Sequence, residues 1–268
     1  MDQNQERKLN FVLYYYRKGR LDSISAYHKW KIQHTSFYAQ THWVRYAVAA
    51  CVLLCIVSSS IYLYLKFKGD NVELVASSNI LAANLPDGSQ ILLSPGSSLQ
   101  YDSKDFHHGI RSVSLHGTAF FEVKHDATRP FQVRTEKTCT EVLGTRFQVV
   151  EKKHQVFAWV KDGKVRFSSR DAGGSVVLTA GESAICQEQD SVPKLVDDVL
   201  NPDAWRVGYF VYEHTPLSIV LKELSWHYDI RLSASDEQLE LTATLPADDL
   251  RQAIRMIETV LQVKIIEN

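Results

Sequence analysis

The sequence lacks an excess of charge of either sign. Its 30 lysine and arginine residues face 31 aspartate and glutamate residues, so the formal net charge of the 268-residue chain is −1. This balance leaves no basic footprint for nucleic acid, and we predict no direct nucleic-acid partner. The composition is ordinary for a globular protein, with 45% hydrophobic and 23% charged residues, which argues against extended disorder.

Cysteine is scarce, and its four residues fall into two pairs. Cys51 and Cys55 are four residues apart in an apolar segment, where they share a helical face and packing explains them. Cys139 and Cys186 lie in predicted strands, and in an oxidising compartment they could form a disulfide. Disulfide and free thiols stay equally open here, because the sequence does not show whether the two Cα atoms come within ~7 Å.

Recognisable catalytic and metal-binding patterns are also missing. His107 and His108 are adjacent, so on a strand they would point to opposite faces and make a poor metal pair. His116 and His125 stand alone, which favours surface histidines over ligands. No Ser–His–Asp order or carboxylate pair is recognisable, so we predict no metal, no cofactor and no enzyme activity.

The dipeptide Gly144-Thr145 carries the one chemical hypothesis. A threonine hydroxyl after a glycine can attack the preceding carbonyl in a strained backbone, forming an ester that water hydrolyses. Glycine has no Cβ to obstruct that approach. The alternative, which the sequence favours, is a glycine bulge in a strand.

One long apolar run is present, Tyr46–Leu65, and it contains no charged residue. Arg45 and Lys66 flank it, and about 20 apolar residues span a bilayer core of ~30 Å. A buried helix of a soluble protein is the first alternative. A cleaved signal peptide is the second, but the run is too long and begins too late. We predict one retained membrane helix.

Charge sets the predicted orientation of this helix. Residues 1–45 carry a net charge of +5, whereas residues 46–268 carry −6. The positive-inside bias places the N-terminus in the cytoplasm and about 200 residues outside it, in the periplasm if the membrane is the inner one.

The N-terminal segment predicts two short amphipathic helices. The first has an apolar stripe at i, i+3, i+4 and i+7 and ends near Gly19, and the second begins near Asp22. Two such helices cannot form a stable core alone, so the stripes indicate a protein partner. A hairpin lying on the membrane surface is an equal alternative. The residues predicted to bind the partner are Leu9, Val12, Leu13, Tyr16, Ile24, Tyr27 and Trp30.

Short alternating runs separated by turn signals follow from about residue 72 to residue 186. They predict an all-β domain, a sandwich, roll or solenoid. Asp87-Gly88 and Asp162-Gly163 are both typical of β-hairpin turns.

Residues 205–268 contain an internal repeat. The segments 215–224 and 248–257 align at an offset of 33 and share the stripe of a half-buried helix. Thr215 with Pro216 predicts one helix start, and Asp248 or Asp249 predicts the other. Strand candidates flank each helix, so the order β-α-β occurs twice, with two helices on one face of a small sheet. An edge of that sheet is open to a partner strand, unless Lys264 and Glu267 protect it.

Five longer motifs stand out along the chain: LPDGSQILLSPGSSLQY, RSVSLHGTAFFEVKHDATRPFQVRT, EVLGTRFQVV, AWRVGYFVYEHTPLSIVLKELSWHYDI and FVLYYYRKGRLDSISAYHKW. Together they resemble the FecR family of transmembrane anti-sigma factors, in the version with an STN-like C-terminal domain found in Bacteroidota. The resemblance covers about residues 75–268, and the segment 11–30 is similar to the family's short cytoplasmic motif. Thr118 departs from it, because the family usually has glutamate there.

The resemblance implies a mechanism. Family members bind an extracytoplasmic-function sigma factor through their cytoplasmic helices and receive a signal from a TonB-dependent outer-membrane transducer. Periplasmic and intramembrane proteases then release the sigma factor, and some members cut themselves at a Gly-Thr that matches Gly144-Thr145. The residues expected to contact the signalling domain of the transducer are Tyr209, Val211, Leu217, Leu221 and Leu224.

The resulting prediction is a single-pass inner-membrane regulator of a sigma factor. Its parts are a cytoplasmic helical segment, a transmembrane helix, a periplasmic all-β domain of roll or solenoid type, a linker, and a C-terminal α+β signalling domain. A membrane-anchored structural scaffold without a sigma partner is the alternative, and an enzyme acting on envelope polysaccharide is a second. The five parts span residues 1–45, 46–65, 66–190, 191–204 and 205–268.

Overall fold

The computed structural model describes residues 3–16, 23–67, 71–104, 106, 109–171, 173–197 and 199–267. The chain forms two compact units, Met1–Lys68 and Gly69–Asn268. Gly19, Asp22, His107 and His108 lie outside the described residues.

The N-terminal unit contains two helices, α1 (Gln3–Tyr16) and α2 (Ser23–Phe67). The predicted second amphipathic helix and the predicted membrane helix are one continuous helix of 45 residues, which is ~68 Å long. No glycine or proline interrupts it, so nothing in the sequence ends the first part before the second begins. Within the described residues one segment, Trp43–Tyr64, is long and apolar enough to cross a membrane.

The β domain consists of two seven-stranded sheets. The first contains, in spatial order, β1 (Asn71–Ala76), β4 (Ser97–Asp102), β5 (Arg111–His116), β7 (Phe131–Arg134), β8 (Thr138–Val142), β11 (Lys164–Ser169) and β12 (Ser175–Thr179). The second contains β14 (Lys194–Val196), β13 (Ser183–Gln187), β10 (Gln155–Asp162), β9 (Arg146–Lys152), β6 (Thr118–Glu122), β3 (Gln90–Leu93) and β2 (Leu81–Asn84). The predicted linker therefore contains a strand, β14, which pairs with β13.

The two sheets enclose one hydrophobic core. Both supply alternate, inward-pointing side chains to a single cluster of buried residues. Phe121 of the second sheet and Phe131 of the first have ring centroids 6.0 Å apart, so the sheets pack face to face. Of the three predicted all-β architectures, this arrangement is a sandwich.

Glycines lie at several places where the chain crosses from one sheet to the other, and three of these crossings bear on the site. Gly117 joins β5 to β6, Gly144 joins β8 to β9, and Gly163 joins β10 to β11. The two Asp-Gly signals therefore differ. Asp87-Gly88 makes the hairpin between β2 and β3, but Asp162-Gly163 turns the chain between sheets, because β10 and β11 pair with different neighbours.

A buried ion pair lies beside the Asp87-Gly88 turn. The side chains of Arg111 and Asp87 are only 1% and 3% exposed, and Arg111 Nη1 lies 2.8 Å from Asp87 Oδ2. Arg111 also donates to the carbonyl oxygens of Arg129 and Lys124, each at 2.9 Å. Both charges are thus hydrogen-bonded, as burial of charge requires.

The C-terminal part begins with the short helix α3 (Ala204–Val207) and has its own buried core. The order strand, helix, strand occurs twice: β15 (Tyr209–Pro216), α4 (Leu217–Tyr228) and β16 (Leu232–Ala234), then β17 (Glu240–Pro246), α5 (Leu250–Leu261) and β18 (Ile265–Glu267). The strands form two antiparallel pairs, β15 with β17 and β16 with β18, rather than the single small sheet that we predicted.

The helix starts also differ between the repeats. Asp249 caps α5, accepting a hydrogen bond from the backbone N–H of Gln252 at 2.9 Å. Pro216 occupies the N-cap position of α4 rather than its first helical position, and Thr215 belongs to β15.

Candidate functional site

The predicted partner-binding face of the N-terminal helices is exposed. The side chains of Leu9, Val12 and Leu13 on α1, and of Ile24, Tyr27 and Trp30 on α2, are each more than half exposed. The rings of Tyr27 and Trp30 stack with centroids 6.4 Å apart. Phe11 and Tyr14 are also exposed, and the i, i+3, i+4 pattern had missed them. The side chain of Tyr16 lies outside the described residues.

Gly144 and Thr145 lie at a corner between the sheets rather than at a bulge within a strand. A Cβ on Gly144 would lie 2.5 Å from the Cα of His125, so close packing by itself requires glycine. Thr145 is buried, and its hydroxyl donates to the carbonyl oxygen of Lys164 at 2.9 Å. That bond ties this corner to the neighbouring corner at Gly163.

Cys139 and Cys186 are free in the structure, so of the two alternatives that the sequence left open the structure has the free thiols. Alternation along β8 turns Thr138 and Thr140 into the core, so Cys139 faces outward from the first sheet. Cys186 points into the core from the second sheet. The two sulfurs are therefore on opposite sides of the first sheet. Burial raises the pKa of both thiols.

The residues predicted to contact a transducer separate into two groups. Tyr209 and Val211 on β15 are 48% and 43% exposed. Leu217, Leu221 and Leu224 on α4 are at most 2% exposed and form the core beneath the helix, so they cannot be a contact surface. The apolar stripe of α4 is the face that packs inward, which is its ordinary role in an amphipathic helix.

The outer edge of β15 is closed by a side chain. The backbone N–H of Val211 donates to Asn201 Oδ1 at 2.8 Å, and Asn201 Nδ2 donates to the Val211 carbonyl oxygen at 3.2 Å. Glu223 of α4 holds Asn201 in place, accepting from its backbone N–H at 2.6 Å and from its Nδ2 at 3.0 Å. No sequence pattern singled out Asn201.

The same segment is bonded to the β domain. The side chain of Gln148, on β9, is 1% exposed. Its Nε2 donates to the carbonyl oxygen of Pro202 at 2.6 Å, and its Oε1 accepts from Trp205 Nε1 at 2.8 Å. A buried glutamine whose amide is satisfied only by a distant segment fixes that segment against the sheet.

Aromatic and cationic side chains join the two domains further along the second sheet. Lys152 Nζ lies 4.3 Å from the ring centroid of Trp226 and donates to the Trp226 carbonyl oxygen. Phe157 meets the same ring edge-on, with centroids 6.1 Å apart. Burial lowers the pKa of Lys152, and the negative charge of Asp229 opposes that shift.

These contacts surround a cavity of about 770 Å³ between the second sheet and α4. His227 lines it, and burial lowers the pKa of this imidazole, whose Nε2 is 3.2 Å from the carbonyl oxygen of Ala247. Gln148, Lys152 and Glu223 line it too, and each is bonded across the domain boundary or to the segment that bridges it. The cavity therefore belongs to the joint between domains.

No group of three or more histidine, cysteine, aspartate or glutamate side chains suited to a metal occurs among the residues that the structure describes.

Comparison with known proteins relates the β domain to a known family. Residues 73–166 match the family model described as FecR protein. Two crystal structures, at 1.65 and 2.50 Å resolution, of a protein from Parabacteroides distasonis ATCC 8503 described as a candidate anti-sigma factor also match. In each case the TM-score is 0.54 and the identity 22%, over 74% of this chain and 99% or 98% of that chain. At this identity the likeness is one of fold. No curated protein matches this chain.

The family match spans the β domain from β1 into β11, and it includes three of the motifs that carried the resemblance. The C-terminal β-α-β repeats lie beyond it. Residues 73–166 therefore match the FecR family, and in sequence they follow a helix long enough to cross a membrane.

Proposed function

We propose that this chain is a transmembrane anti-sigma factor, which binds an extracytoplasmic-function sigma factor on one side of the inner membrane and receives a signal on the other. The observation that carries the proposal is the combination of a FecR domain with a membrane-length helix and an exposed apolar helical face before it. The fold neighbours, described as a candidate anti-sigma factor, support the same role.

The sigma factor would bind the apolar face of α1 and the first turns of α2. Leu9, Val12 and Leu13 supply aliphatic anchors, and the stacked rings of Tyr27 and Trp30 supply an aromatic one. Helix faces of this kind dock into apolar grooves through residues spaced i, i+3, i+4 and i+7. Large aromatic side chains commonly contribute most of the energy of such interfaces.

The orientation follows from charge. Residues 1–45 carry +5 and therefore remain in the cytoplasm, whereas the FecR domain and the C-terminal repeats lie in the periplasm. There the C-terminal domain would receive the signalling domain of a TonB-dependent outer-membrane receptor. Tyr209 and Val211, exposed on β15, are the residues best placed for that contact.

Release of the sigma factor would require proteolysis in the periplasm and in the membrane, with self-cleavage at Gly144-Thr145 as a further step. For that step Thr145 Oγ must leave the Lys164 carbonyl and attack the Gly144 carbonyl carbon. The hydroxyl proton passes to the Thr145 nitrogen as the C–N bond breaks, and water then hydrolyses the ester. Thr145→Ser should still give two fragments on a denaturing gel, and Thr145→Val should give none. If the two variants give the same bands, self-cleavage at Gly144-Thr145 is excluded.

The first test is capture of sigma factors from cells by the tagged full-length chain in detergent. We expect one sigma factor to co-purify, and Trp30→Ala to reduce its recovery by roughly tenfold, the effect of losing a binding contribution of ~1.4 kcal/mol. Lys29→Ala is the matched control, because Lys29 is an exposed neighbour outside the apolar stripe. If the intact chain captures no sigma factor, the scaffold function takes precedence.

A further inference from the structure

The side chain of Asn201 imitates one residue of a β-strand. Its carbonyl oxygen and amide nitrogen bond to the N–H and the C=O of the same residue, Val211, at 2.8 and 3.2 Å. In an antiparallel pair a neighbouring strand bonds a residue in the same two-way manner. At Val211 the backbone N–H and C=O of β15 therefore point away from β17 and already form hydrogen bonds with the side-chain amide of Asn201.

Glu223 determines how firmly Asn201 is held. Its carboxylate accepts from the backbone N–H groups of Leu200 and Asn201, at 3.2 and 2.6 Å, and from Asn201 Nδ2 at 3.0 Å. A second donor lies nearby. Burial raises the pKa of the Tyr212 hydroxyl, and the negative charge and nearby carboxylate of Glu223 raise it further, but no hydrogen bond of ordinary geometry holds this hydroxyl among the described residues. Glu223 therefore has an alternative partner available if Asn201 leaves.

The segment that carries Asn201 also fastens the C-terminal domain to the β domain. Pro202 and Trp205 bond to the buried side chain of Gln148 on β9, one and four residues after Asn201. A stretch of five residues is thus bonded to the β15 edge at one end and to the second sheet at the other. Movement at either end must strain the bonds at the other, because so short a segment has little slack.

We infer that Asn201 is a clasp that keeps the outer edge of β15 closed, and that an extended strand from a partner polypeptide must displace it in order to add to this edge. Displacement would free Glu223 to accept from Tyr212 and would loosen the bonds to Gln148. Occupation of the edge and docking of the C-terminal domain on the β domain then become competing states, as a switch requires.

A polypeptide strand is the occupant that fits. The groups on this edge are backbone N–H and C=O, which an extended main chain satisfies in series, and Tyr209 and Val211 offer exposed apolar side chains beside them. The inference rests on the proposed function only for the identity of this partner, the signalling domain of the receptor. The clasp itself is tested without either partner.

Hydrogen–deuterium exchange on the full-length chain in detergent tests the clasp, with the segment 209–216 resolved to the Val211 amide. Asn201→Ala should accelerate exchange of that amide on the order of tenfold, the effect of one lost hydrogen bond. Asn84→Ala is the control, because Asn84 is an exposed asparagine on the edge strand β2. Unchanged exchange in Asn201→Ala would overturn the inference.

Trp205→Phe tests the coupling. This variant removes the indole N–H that donates to Gln148, together with the five-membered ring that carries it, and keeps a six-membered aromatic ring. We expect faster exchange of the Val211 amide, which Trp205 does not bond. Exchange as slow as in the parent chain would show that the two ends are independent and would overturn the switch. Light scattering measures whether the edge binds a second copy of this chain. If Asn201→Ala forms a dimer, the occupant of the edge is a second copy of this chain and not a strand from another polypeptide.

Neither result depends on the sigma factor. If the exchange rates do not change, the clasp is wrong while sigma capture still stands. If sigma capture fails while both variants accelerate exchange, the proposed function is wrong and the clasp remains.

Discussion

Replacement of Gly144 by alanine should destabilise the β domain through packing alone. Gly144 is not among the residues with positive φ, so alanine can adopt its backbone conformation without strain. The new Cβ, however, would lie 2.5 Å from His125 Cα and 2.7 Å from His125 Cβ and Nδ1. Contacts this short force the backbone to move, and overpacking of this kind costs about 3 kcal/mol.

Urea unfolding of the full-length chain in detergent, followed by tryptophan fluorescence, measures this cost. Gly96→Ala is the comparison, because its Cβ would meet nothing within 4 Å but Gly96 has φ +78°. That variant should lose only about 1 kcal/mol, the cost of a left-handed alanine. Because Gly144 has no such conformational penalty, the cost of Gly144→Ala is itself the packing contribution, and it should exceed the cost of Gly96→Ala.

A double variant tests the geometry directly. In Gly144→Ala combined with His125→Ala the imidazole is absent, but the Cα and Cβ of residue 125 remain at the two shortest distances. Stability should therefore stay well below that of the parent chain. Full recovery would refute the reasoning, because it would show that the flexible ring, not the backbone, opposes a side chain at position 144. Gly144→Ala is for this reason a poor test of self-cleavage.

Three further predictions concern charge and thiol chemistry. Asp87→Ala should cost about 3–5 kcal/mol in urea unfolding, because it leaves the Arg111 guanidinium buried without its ion-pair partner. The free energy of unfolding should fall as the pH drops below 6.5, the ordinary pKa of histidine, because the unfolded chain binds a proton that buried His227 resists; His227→Gln should reduce this slope in pH-dependent melts. Intact mass under non-reducing conditions should show free thiols at Cys139 and Cys186, with Cys186 alkylated only after unfolding and Cys139 slowly before it.

Local patterns in the sequence determined several elements because each depends on near neighbours. The uncharged run Tyr46–Leu65 predicted a membrane-length helix, and the structure has one over Trp43–Tyr64. The matched stripes 33 residues apart predicted α4 and α5, and their C-caps, Asp229 and Gln262, are also 33 residues apart in left-handed conformation. The turn signals and alternating runs predicted an all-β domain, and the structure has one. The motifs of that domain are contiguous in sequence, so they indicated the FecR family before any pairing was known.

The continuity of the helices and the pairing of the strands were harder to predict from the sequence. The α1 and α2 stripes predicted two short helices, but no glycine or proline between Trp30 and Arg45 interrupts α2, which continues into the membrane segment. The chain turns from sheet to sheet at Gly163 although its Asp-Gly signal is typical of a hairpin. A turn dipeptide specifies a change of direction but does not specify which strand the next segment will pair with.

The functional surfaces depended most on tertiary structure. Sequence periodicity alone cannot tell whether a stripe is core or contact, and it placed Leu217, Leu221 and Leu224 on a surface although they are core. Side chains alternate between the two faces of a strand, so the sequence did not show whether Cys139 and Cys186 point into the core or away from it. The arrangement of the strands in two packed sheets decides this for each cysteine. No sequence pattern could predict the clasp, because its hydrogen bonds join residues that only folding brings together. Asn201 bonds to Val211 and Glu223, 10 and 22 positions away, and Trp205 bonds to Gln148, 57 positions away.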